Sequence, residues 1–429
     1  MLSKKAVLSN FSRSIHSESR CLRPDSEKEL ADYMACHPRQ SILVRGSGLS
    51  YNDSCFNTHG YIVESSHFNH LIDFDAKTGI VICQGGVPLK DLFLVHPEFI
   101  PAVIPGTVHA TVAGSIAHDV HGKNNPQEGS FGHHILWFDL LLGKQKFHCS
   151  PKQHSDLFYA TIAGLGLTGV ITQVALRLKK TSRFVLVKHK QFTSFGALTD
   201  AMLDYSLHHD YQVAWLDLLH KKPQSILSIA DHCDALPNPE PPIHAVPKLP
   251  FCILRAWNVK LFNQLFFNTR KAQEKVSLMQ FNNPLDKIMH WNRLYGPKGL
   301  IQFQAVFPQA NATELLTQFQ LLINTHDATP TLSVLKLFLK AGKGLLSFCQ
   351  PGFTLAIDFI NNCQAQKTIA AMNELLIEYG GSIYLAKDLL LNADQYKKIY
   401  GNHQKFSQLL KQYDSSMHSD LAKRLGIIS

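Results

Sequence analysis

The first 180 residues alternate short apolar runs with turn-forming residues, a pattern typical of β-strands joined by tight turns. Two of these runs flank a turn that ends in Gly79, which predicts a β-hairpin. Pro88 is expected to open a short helix. The strands predicted in this half are residues 41–45, 60–64, 71–74, 80–83, 136–142 and 169–178.

Beyond residue 183 the pattern changes to longer strands alternating with helices. Six prolines fall in residues 235–250, so this segment is predicted to be a long loop, because proline continues neither a helix nor a central strand. Strands are predicted at residues 184–188, 212–218, 226–230, 300–307, 331–338 and 353–359. Helices are predicted at residues 193–207, 310–324, 364–379, 393–400 and 404–413.

Composition narrows the class of protein. The 429 residues are 45% apolar and 17% charged, which excludes a disordered chain. Lys and Arg exceed Asp and Glu by 42 − 33 = 9, but they are dispersed. This charge is compatible with anionic substrates, phosphates or a membrane surface, and it argues against nucleic-acid binding.

Targeting signals and cysteine usage favour a cytoplasmic protein. No stretch approaches the roughly 18 apolar residues of a membrane span, and the N-terminal residues lack the apolar core of a secretory signal. The nine cysteines are scattered without a Cys-x-x-Cys pair, which favours reduced thiols. His118, His121, His133 and His134 lie close in sequence, but no metal-ligand spacing accompanies them, so no metal is predicted.

Three glycine-rich turns are the main candidate for binding chemistry. They lie at residues 45–51, 105–115 and 121–124. Each alone is compatible with an ordinary turn, whereas three within about eighty residues favour a cradle of backbone N–H groups for a pyrophosphate. The G-x-G-x-x-G at residues 164–169 does not indicate a Rossmann nucleotide site, because a strand follows it and the next acidic residue is Asp200.

Several segments resemble the PCMH-type FAD-binding domain of the vanillyl-alcohol oxidase superfamily, and most of all its decaprenylphosphoryl-β-D-ribose oxidase family. The resemblance covers nearly the whole chain. The segments that carry it are residues 45–53 (RGSGLSYND), 104–124 (IPGTVHATVAGSIAHDVHGKN), 129–134 (GSFGHH), 156–171 (DLFYATIAGLGLTGVI), 291–304 (WNRLYGPKGLIQFQ), 335–338 (LKLF), 380–388 (GGSIYLAKD) and 419–425 (SDLAKRL).

The resemblance implies an α+β fold in two domains. The FAD-binding domain, of two subdomains, should span residues 1–182 and be completed by 382–429. A substrate-binding domain with an antiparallel sheet flanked by helices should span 183–381. The first glycine turn has no histidine for a covalent flavin link, which implies non-covalent FAD. The implied flavin contacts are Arg45, Gly46, Ser47, Gly48, Leu49, Ser50, Tyr51, Asn52, Asp53, Ser54, Gly106, Thr111, Val112, Ala113, Gly114, His121, Gly122, Lys123, Asn124, Ile171 and Tyr384.

The resemblance also implies the substrate side of the site. Lys387, His121 and Tyr51 are the implied catalytic residues. Lys387 can stabilise the reduced flavin or, if desolvated, act as a base, and His121 can relay the proton. The implied substrate contacts are Trp215, Gln302, Gln304, Lys336 and Phe338.

Each of these residues also has a structural alternative. Gln302 and Gln304 lie two apart on a strand and share one side, which is equally compatible with a solvent-exposed face. Lys336 and Lys387 are compatible with surface lysines, and Trp215 with a core aromatic.

The expected reaction is FAD-dependent oxidation of a ring hydroxyl of a lipid-phosphate-linked pentose to a keto sugar. In the family a separate nicotinamide-dependent reductase then completes an epimerisation. An aldonolactone- or alditol-type oxidase acting on a free sugar is the alternative, and a flavin-free binding protein is a third. Asn52, Leu165, Asn282, Thr354 and Ala356 depart from the residues usual in the ribose oxidases, which leaves the substrate open.

Residues 251–268 are rich in aromatic side chains and carry basic residues. They are compatible with a lip that meets a membrane surface, or with a buried amphipathic helix. The first interpretation implies a cytoplasmic protein peripheral to the inner membrane.

Overall fold

The computed structural model describes residues 3–234 and 242–428. They form an α+β protein with sheets of four, six and eight strands and a small two-stranded ladder. The expected α+β class is confirmed. Strands and helices lie close to their predicted positions wherever the apolar pattern is strong. For example, the strand predicted at residues 300–307 is observed as Leu300–Phe307.

The four-stranded sheet contains the first glycine turn at the end of one strand. Its order is β1-β2-β4-β3, with β3 and β4 parallel. Helix α1 covers the sheet by burying Leu30 and Met34 against it. The elements are β1 (Ser3–Ser9), β2 (His16–Leu22), α1 (Glu27–Cys36), β3 (Ile42–Arg45) and β4 (Tyr61–Glu64).

The six-stranded sheet holds the second and third glycine turns against its helices. Its order is β5-β6-β10-β8-β9, with β7 beside β10, and β5 and β6 form the predicted hairpin. The elements are β5 (Leu71–Asp75), β6 (Ile80–Gln84), α2 (Leu89–Leu92), β7 (Phe99–Pro101), α3 (Val112–Ala117), α4 (Asn125–Glu128), β8 (Ile135–Leu142), β9 (Gln145–Cys149), α5 (Ser155–Thr161) and β10 (Val170–Lys180).

The eight-stranded sheet is antiparallel throughout, in the order β15-β11-β13-β12-β18-β19-β17-β20. One face packs on α6, α9 and α10 in the largest apolar cluster of the molecule. The elements are β11 (Phe184–Phe192), α6 (Phe195–Tyr205), β12 (Tyr211–Asp217), β13 (Gln224–His232), β15 (Gln273–Ser277), β17 (Leu300–Phe307), α9 (Ala312–Thr325), β18 (Pro330–Phe338), β19 (Gly352–Ile360), α10 (Cys363–Glu378) and β20 (Ser382–Ile383).

The segment predicted as a proline-rich loop is described only in part. Residues 235–241 lie outside the described part of the chain, and His244–Ala245 (β14) pairs with Ile288–Met289 (β16). Next come α7 (Ala256–Thr269) and α8 (Leu278–Asn282). Only Val259 and Asn263 of α7 are buried. The segment is therefore a helix that is buried along one side only, and the alternative of a buried amphipathic helix holds for that side alone.

The C-terminal segment returns to the four-stranded sheet. Met417 forms a bridge with Ile42, and Arg424 binds Asp53 at 2.8 Å and Asp388 at 2.9 Å. The helices are α11 (Ala393–Ile399), α12 (His403–Gln412) and α13 (Asp420–Arg424). Among the residues described, no helix combines the length and apolar character needed to cross a membrane.

Candidate active site

The first glycine turn leaves β3 with its backbone donors free. The N–H groups of Ser47, Gly48 and Leu49 donate to no protein acceptor within the described residues. Gly48 has φ +65°, and a Cβ there would meet the Arg45 guanidinium, so both the backbone conformation and the space favour glycine. Consecutive free N–H groups of this kind form a binding site for an anion such as a pyrophosphate.

The second turn lies directly against the first. Thr111 caps α3 by accepting a hydrogen bond from the N–H of Gly114 at 3.1 Å. A Cβ added to Gly46 would lie 2.5 Å from the Thr111 hydroxyl, so glycine is what lets the turns touch. Two turns separated by some sixty residues thus form one continuous surface, as the sequence predicts.

Buried polar atoms without a partner cluster around these turns. Burying such atoms costs free energy unless a ligand or water satisfies them, so native proteins keep few. Seven buried side-chain atoms beside the turns or on the facing sheet form no hydrogen bond with any described residue. They are Ser54 Oγ, Ser115 Oγ, His118 Nδ1, His121 Nδ1, Asn124 Oδ1, Gln302 Oε1 and Thr354 Oγ1. Their position indicates that a polar ligand lies between the turns and the sheet.

The second face of the eight-stranded sheet supplies the other wall. Gln302 pairs with Asp358 across β17 and β19, and Lys336 pairs with Thr354 across β18 and β19. Directly opposed residues of an antiparallel pair share one face, and so do residues two apart. Gln304 therefore lies beside Gln302, and this face of the sheet is polar at its centre.

His121 joins the two walls. The amide nitrogen of Gln304 donates to His121 Nε2 at 2.8 Å. The His121 ring packs against Phe338, Phe348 and Tyr384, with centroid distances of 4.9, 5.4 and 5.0 Å. These contacts hold the imidazole between the third glycine turn and the sheet.

The His121 imidazole is neutral. Burial holds its pKa well below the usual value, and the nearby charges of Lys336 and Lys387 lower it further. Because Nε2 accepts the hydrogen bond from Gln304, the ring proton is on Nδ1, the atom without a partner among the described residues. His121 is thus oriented as a hydrogen-bond donor to a ligand.

Lys387 lies over the ring of Tyr51, with Nζ 3.2 Å from the ring centroid. Burial lowers the pKa of Lys387 to about 7, an effect that Asp358 opposes and Lys336 adds to. Burial also raises the pKa of Asp358 to about 6, while the hydrogen bond from the Gln302 amide lowers it. Near neutral pH, Lys387 can therefore take up or release a proton.

Two further lysines have lowered pKa values. Burial lowers the pKa of Lys336 to about 8 and that of Lys123 to about 7. Lys123 donates to the carbonyl of Phe281 and lies 4.4 Å from its ring centroid. An anion placed between these lysines would stabilise the charged form of both.

The structure brings eight of the predicted site residues together between the turns and the sheet. Trp215 lies farther along the sheet, where it pairs with Val334 and contacts Phe266 of α7 at a centroid distance of 5.0 Å. Asn52 and Asp53 already have protein partners, Leu385 and Arg424 respectively. The residues gathered between the turns and the sheet are Tyr51, His121, Gln302, Gln304, Lys336, Phe338, Tyr384 and Lys387.

Sequence reasoning missed Asp358, although it is 2% exposed and contributes to the electrostatics of Lys387. A signal was present, because Asp358 is the single acid in the apolar strand GFTLAIDFI. Burying a charged side chain inside such a strand costs free energy unless the charge is paired or hydrogen-bonded, so an acid at this position indicates a role.

Comparison with known proteins agrees with this geometry. Residues 19–148 match the profile of the FAD binding domain family. The chain is 29% identical over 421 residues to decaprenylphosphoryl-beta-D-ribose oxidase of Mycolicibacterium smegmatis, covering 91% of this chain and 90% of that protein. Residues 19–148 therefore form an FAD-binding domain, and this protein is an FAD-dependent oxidoreductase.

Two sugar-lactone enzymes match shorter stretches of this oxidoreductase. L-gulono-1,4-lactone dehydrogenase of Mycobacterium tuberculosis is 27% identical, covering 45% of each chain. A putative D-arabinono-1,4-lactone oxidase of Neurospora crassa is 29% identical, covering 36% of this chain and 29% of that protein. These three relatives thus indicate FAD-dependent oxidation of a sugar or a lactone, and the flavin-free alternative is wrong.

The residues present fit FAD. The free N–H groups of the first turn suit its pyrophosphate, and the unpaired Ser54 and Asn124 oxygens suit its polar groups. Tyr384, fixed by donating to the His118 carbonyl at 3.0 Å, and Lys387 stand where the turns face the sheet. These residues of the oxidoreductase would hold the cofactor, which supplies hydride acceptance when bound.

Proposed function

We propose that this oxidoreductase oxidises a ring hydroxyl of a lipid-phosphate-linked pentose to a keto sugar. Support comes from the similarity to the M. smegmatis ribose oxidase over nearly the whole of both chains. The observation that carries the proposal is the pairing, on one sheet face, of a proton-accepting centre with a separate cation, Lys336. A phosphodiester sugar presents a hydroxyl to the proton-accepting centre and an anionic phosphate to the cation, so its binding and oxidation use both groups.

In this proposal Lys387 Nζ accepts the proton of the hydroxyl that is oxidised. Its pKa of about 7 makes the neutral amine available at neutral pH. Gln302 and the Nδ1 proton of neutral His121 bind and orient the sugar hydroxyls, since both have unpaired polar atoms at the site. The proton taken up by Lys387 leaves to solvent after each turnover.

Lys336 and Lys123 bind the phosphate group of the substrate in the same proposal. Both amines are partly neutral in the empty protein because burial penalises their charge. A phosphodiester would restore their charge and gain two charge-assisted hydrogen bonds. A free sugar offers no such partner, so these lysines separate the two candidate substrate classes.

The product has consequences for partners and location. A keto sugar made from one pentose becomes its epimer only after its carbonyl is reduced from the opposite face, a hydride transfer of the kind that nicotinamide-dependent reductases perform. We infer such a partner, and with it a role in making a precursor of the cell envelope. A polyprenyl carrier is confined to a membrane, so the enzyme would work in the cytoplasm at the surface of the inner membrane.

A second candidate is oxidation of a free sugar or a sugar lactone. The similarity to L-gulono-1,4-lactone dehydrogenase and to the putative D-arabinono-1,4-lactone oxidase favours it. It would use the same Lys387, His121 and Gln302 but would leave Lys336 without a role.

Anaerobic bleaching of the bound flavin separates these candidates. The purified holoenzyme is mixed with a short-chain prenylphosphoryl pentose, with the free pentose and with an aldonolactone. We expect bleaching by the phosphodiester, and loss of that response with retained FAD in Lys336→Ala. Lys367→Ala, on the exposed side of α10, is the control. Bleaching by the free sugar or lactone alone would contradict the proposal.

Non-covalent attachment of FAD is tested in the same preparation. The first glycine turn holds no histidine that could form a flavin link. Acid precipitation should therefore release all the yellow colour into the supernatant. Colour retained in the pellet would contradict non-covalent binding.

A further inference from the structure

One side of α7 exposes large apolar side chains to solvent. Trp257 is 69% exposed, Phe262 59%, and Leu261 and Leu265 55% each. Residues 257, 261 and 265 are spaced by four, so they lie along one side of the helix, with residue 262 beside them. Water-exposed side chains of this size in such a cluster mark an interaction surface.

The segment leading into α7 extends the same apolar character. Ile243, Phe251 and Ile253 are exposed, as are Ile288 and Met289 of the neighbouring β16. The opposite side of α7 faces the protein, where Asn263 donates to buried Asp217 at 2.9 Å. The helix is therefore held by the side that carries Val259, Asn263 and Phe266, and the side that carries Trp257, Leu261 and Leu265 is uncovered.

Basic residues predominate along this surface, with Glu274 at its end. Residues 242–273 contain no Asp or Glu. Arg270 is ion-paired with Glu274 at 2.9 Å, and the charge of Lys271 also acts on Glu274, whereas the other three basic side chains are exposed and form no salt bridge within the described residues. The basic residues are Lys248, Arg255, Lys260, Arg270 and Lys271. Apolar side chains flanked by unpaired cations are complementary to an anionic lipid headgroup region.

Aromatic contacts connect this surface with the candidate active site. Phe262 stacks on Phe266 with a centroid distance of 5.9 Å, and Phe266 contacts Trp215 at 5.0 Å. Trp215 lies on β12, next to the strand that carries Lys336. An apolar chain attached to a substrate at Lys336 could follow these three rings to the exposed side of α7.

We propose that the exposed side of α7, with residues 242–255, binds the surface of an anionic lipid bilayer and receives the lipid chain of the substrate there. This proposal rests on the proposed function for the origin of the chain. The binding itself requires only the apolar and basic side chains of this surface. A second copy of the protein is the competing occupant, and the experiment below distinguishes it.

Vesicle flotation with the holoenzyme tests the proposal. We expect the protein to float with vesicles of phosphatidylcholine mixed with phosphatidylglycerol, and much less with phosphatidylcholine alone. Trp257→Ser with Leu261→Ser should weaken binding at least about tenfold, since two apolar side chains that would enter the bilayer are lost. Lys260→Glu with Lys271→Glu should weaken binding to the anionic vesicles by about tenfold or more.

Matched controls place the effect on α7. Leu321→Ser removes a side chain of similar exposure (57%) from α9, and Lys405→Glu changes an exposed lysine of α12. Both should float like the unmodified protein. Failure of the holoenzyme to bind anionic vesicles, or equal binding by the Trp257/Leu261 variant, would overturn the proposal.

Two further measurements separate the alternatives. If light scattering shows a dimer that the Trp257/Leu261 variant dissociates, the surface joins two copies, which also overturns the proposal. Flavin bleaching by a short-chain, water-soluble phosphodiester sugar needs no vesicle. It should be unchanged in the Trp257/Leu261 variant, so failure of the substrate assignment and failure of membrane binding are seen in different experiments.

Discussion

The two faces of the eight-stranded sheet use the same strands for opposite purposes. On β17, Ile301, Phe303, Ala305 and Phe307 pack into the apolar cluster beneath α9 and α10. The residues between them face the glycine turns and include Gln302 and Gln304, which bind Asp358 and His121. Adjacent residues therefore differ completely in role, because side chains alternate across a strand. One face stabilises the fold, and the other carries the chemistry.

The largest effect is expected from the packed face. Phe303→Ala would remove a ring that is 1% exposed and contacts Phe319 of α9 at a centroid distance of 5.4 Å. Truncation of a buried Phe to Ala costs about 3–5 kcal/mol of the free energy of unfolding. Urea denaturation of the holoenzyme, followed by circular dichroism, measures it. A loss below about 1 kcal/mol would show that this face is not the structural one.

Gln304→Leu, one residue farther along the same strand, should affect the rate of flavin reduction more than the stability of the fold. Losing the hydrogen bond to His121 frees the imidazole to rotate, so anaerobic flavin reduction should slow by about tenfold to a hundredfold. The cost in stability should be only about 1–3 kcal/mol, from leaving Nε2 unpaired.

Gln320→Leu is the matched control for that substitution. Gln320 is also buried, but it donates to the His220 carbonyl on the packed side of the sheet. Its variant should reduce flavin at the unmodified rate. If both glutamine variants slow the reaction equally, the distinction between the faces fails.

The sequence predicts the local part of this site and misses the contacts between distant residues. The strand limits were predictable because apolar runs are local, and the resemblance to a family then placed Gln302, Gln304 and Lys336. The contacts of Arg424 with Asp53 and of Lys387 with Tyr51 join residues more than 300 positions apart. No local pattern encodes such pairings, since they depend on how the sheets pack.

Exposure of α7 was likewise beyond prediction. An amphipathic pattern shows that one side of a helix is apolar, but it does not show whether protein covers that side. The structure decides this, since Trp257 is exposed while Val259 is buried.

A smaller effect, on pH dependence, is expected from Asp358→Asn. Protonated Lys387 cannot accept a proton, so the rate should rise with pH through the Lys387 pKa of about 7. The negative charge of Asp358 raises that pKa, so its removal should move the inflection to lower pH. Stopped-flow reduction across pH measures this, with exposed Asp327→Asn as the control. An inflection that stays in place or moves upward would contradict the coupling.

The smallest effect is expected from Thr354→Val, and it tests the comparison most finely. Thr354 is fully buried on the polar face, opposite Lys336, and its hydroxyl has no partner among the described residues. A buried hydroxyl without a hydrogen bond destabilises the folded protein. Replacing the Thr354 hydroxyl with a methyl group should therefore leave the free energy of unfolding unchanged or raise it by up to about 1 kcal/mol. If the hydroxyl is retained for a ligand, the same variant should raise the KM for the phosphodiester sugar by about threefold to tenfold, the value of one neutral hydrogen bond.

Thr368→Val is the control, because the Thr368 hydroxyl is satisfied by the Gln364 carbonyl at 2.8 Å and faces away from the site. A stable Thr354→Val protein with an unchanged KM would show that the polar face extends past the residues the substrate touches, and would limit the binding surface to the strands on either side.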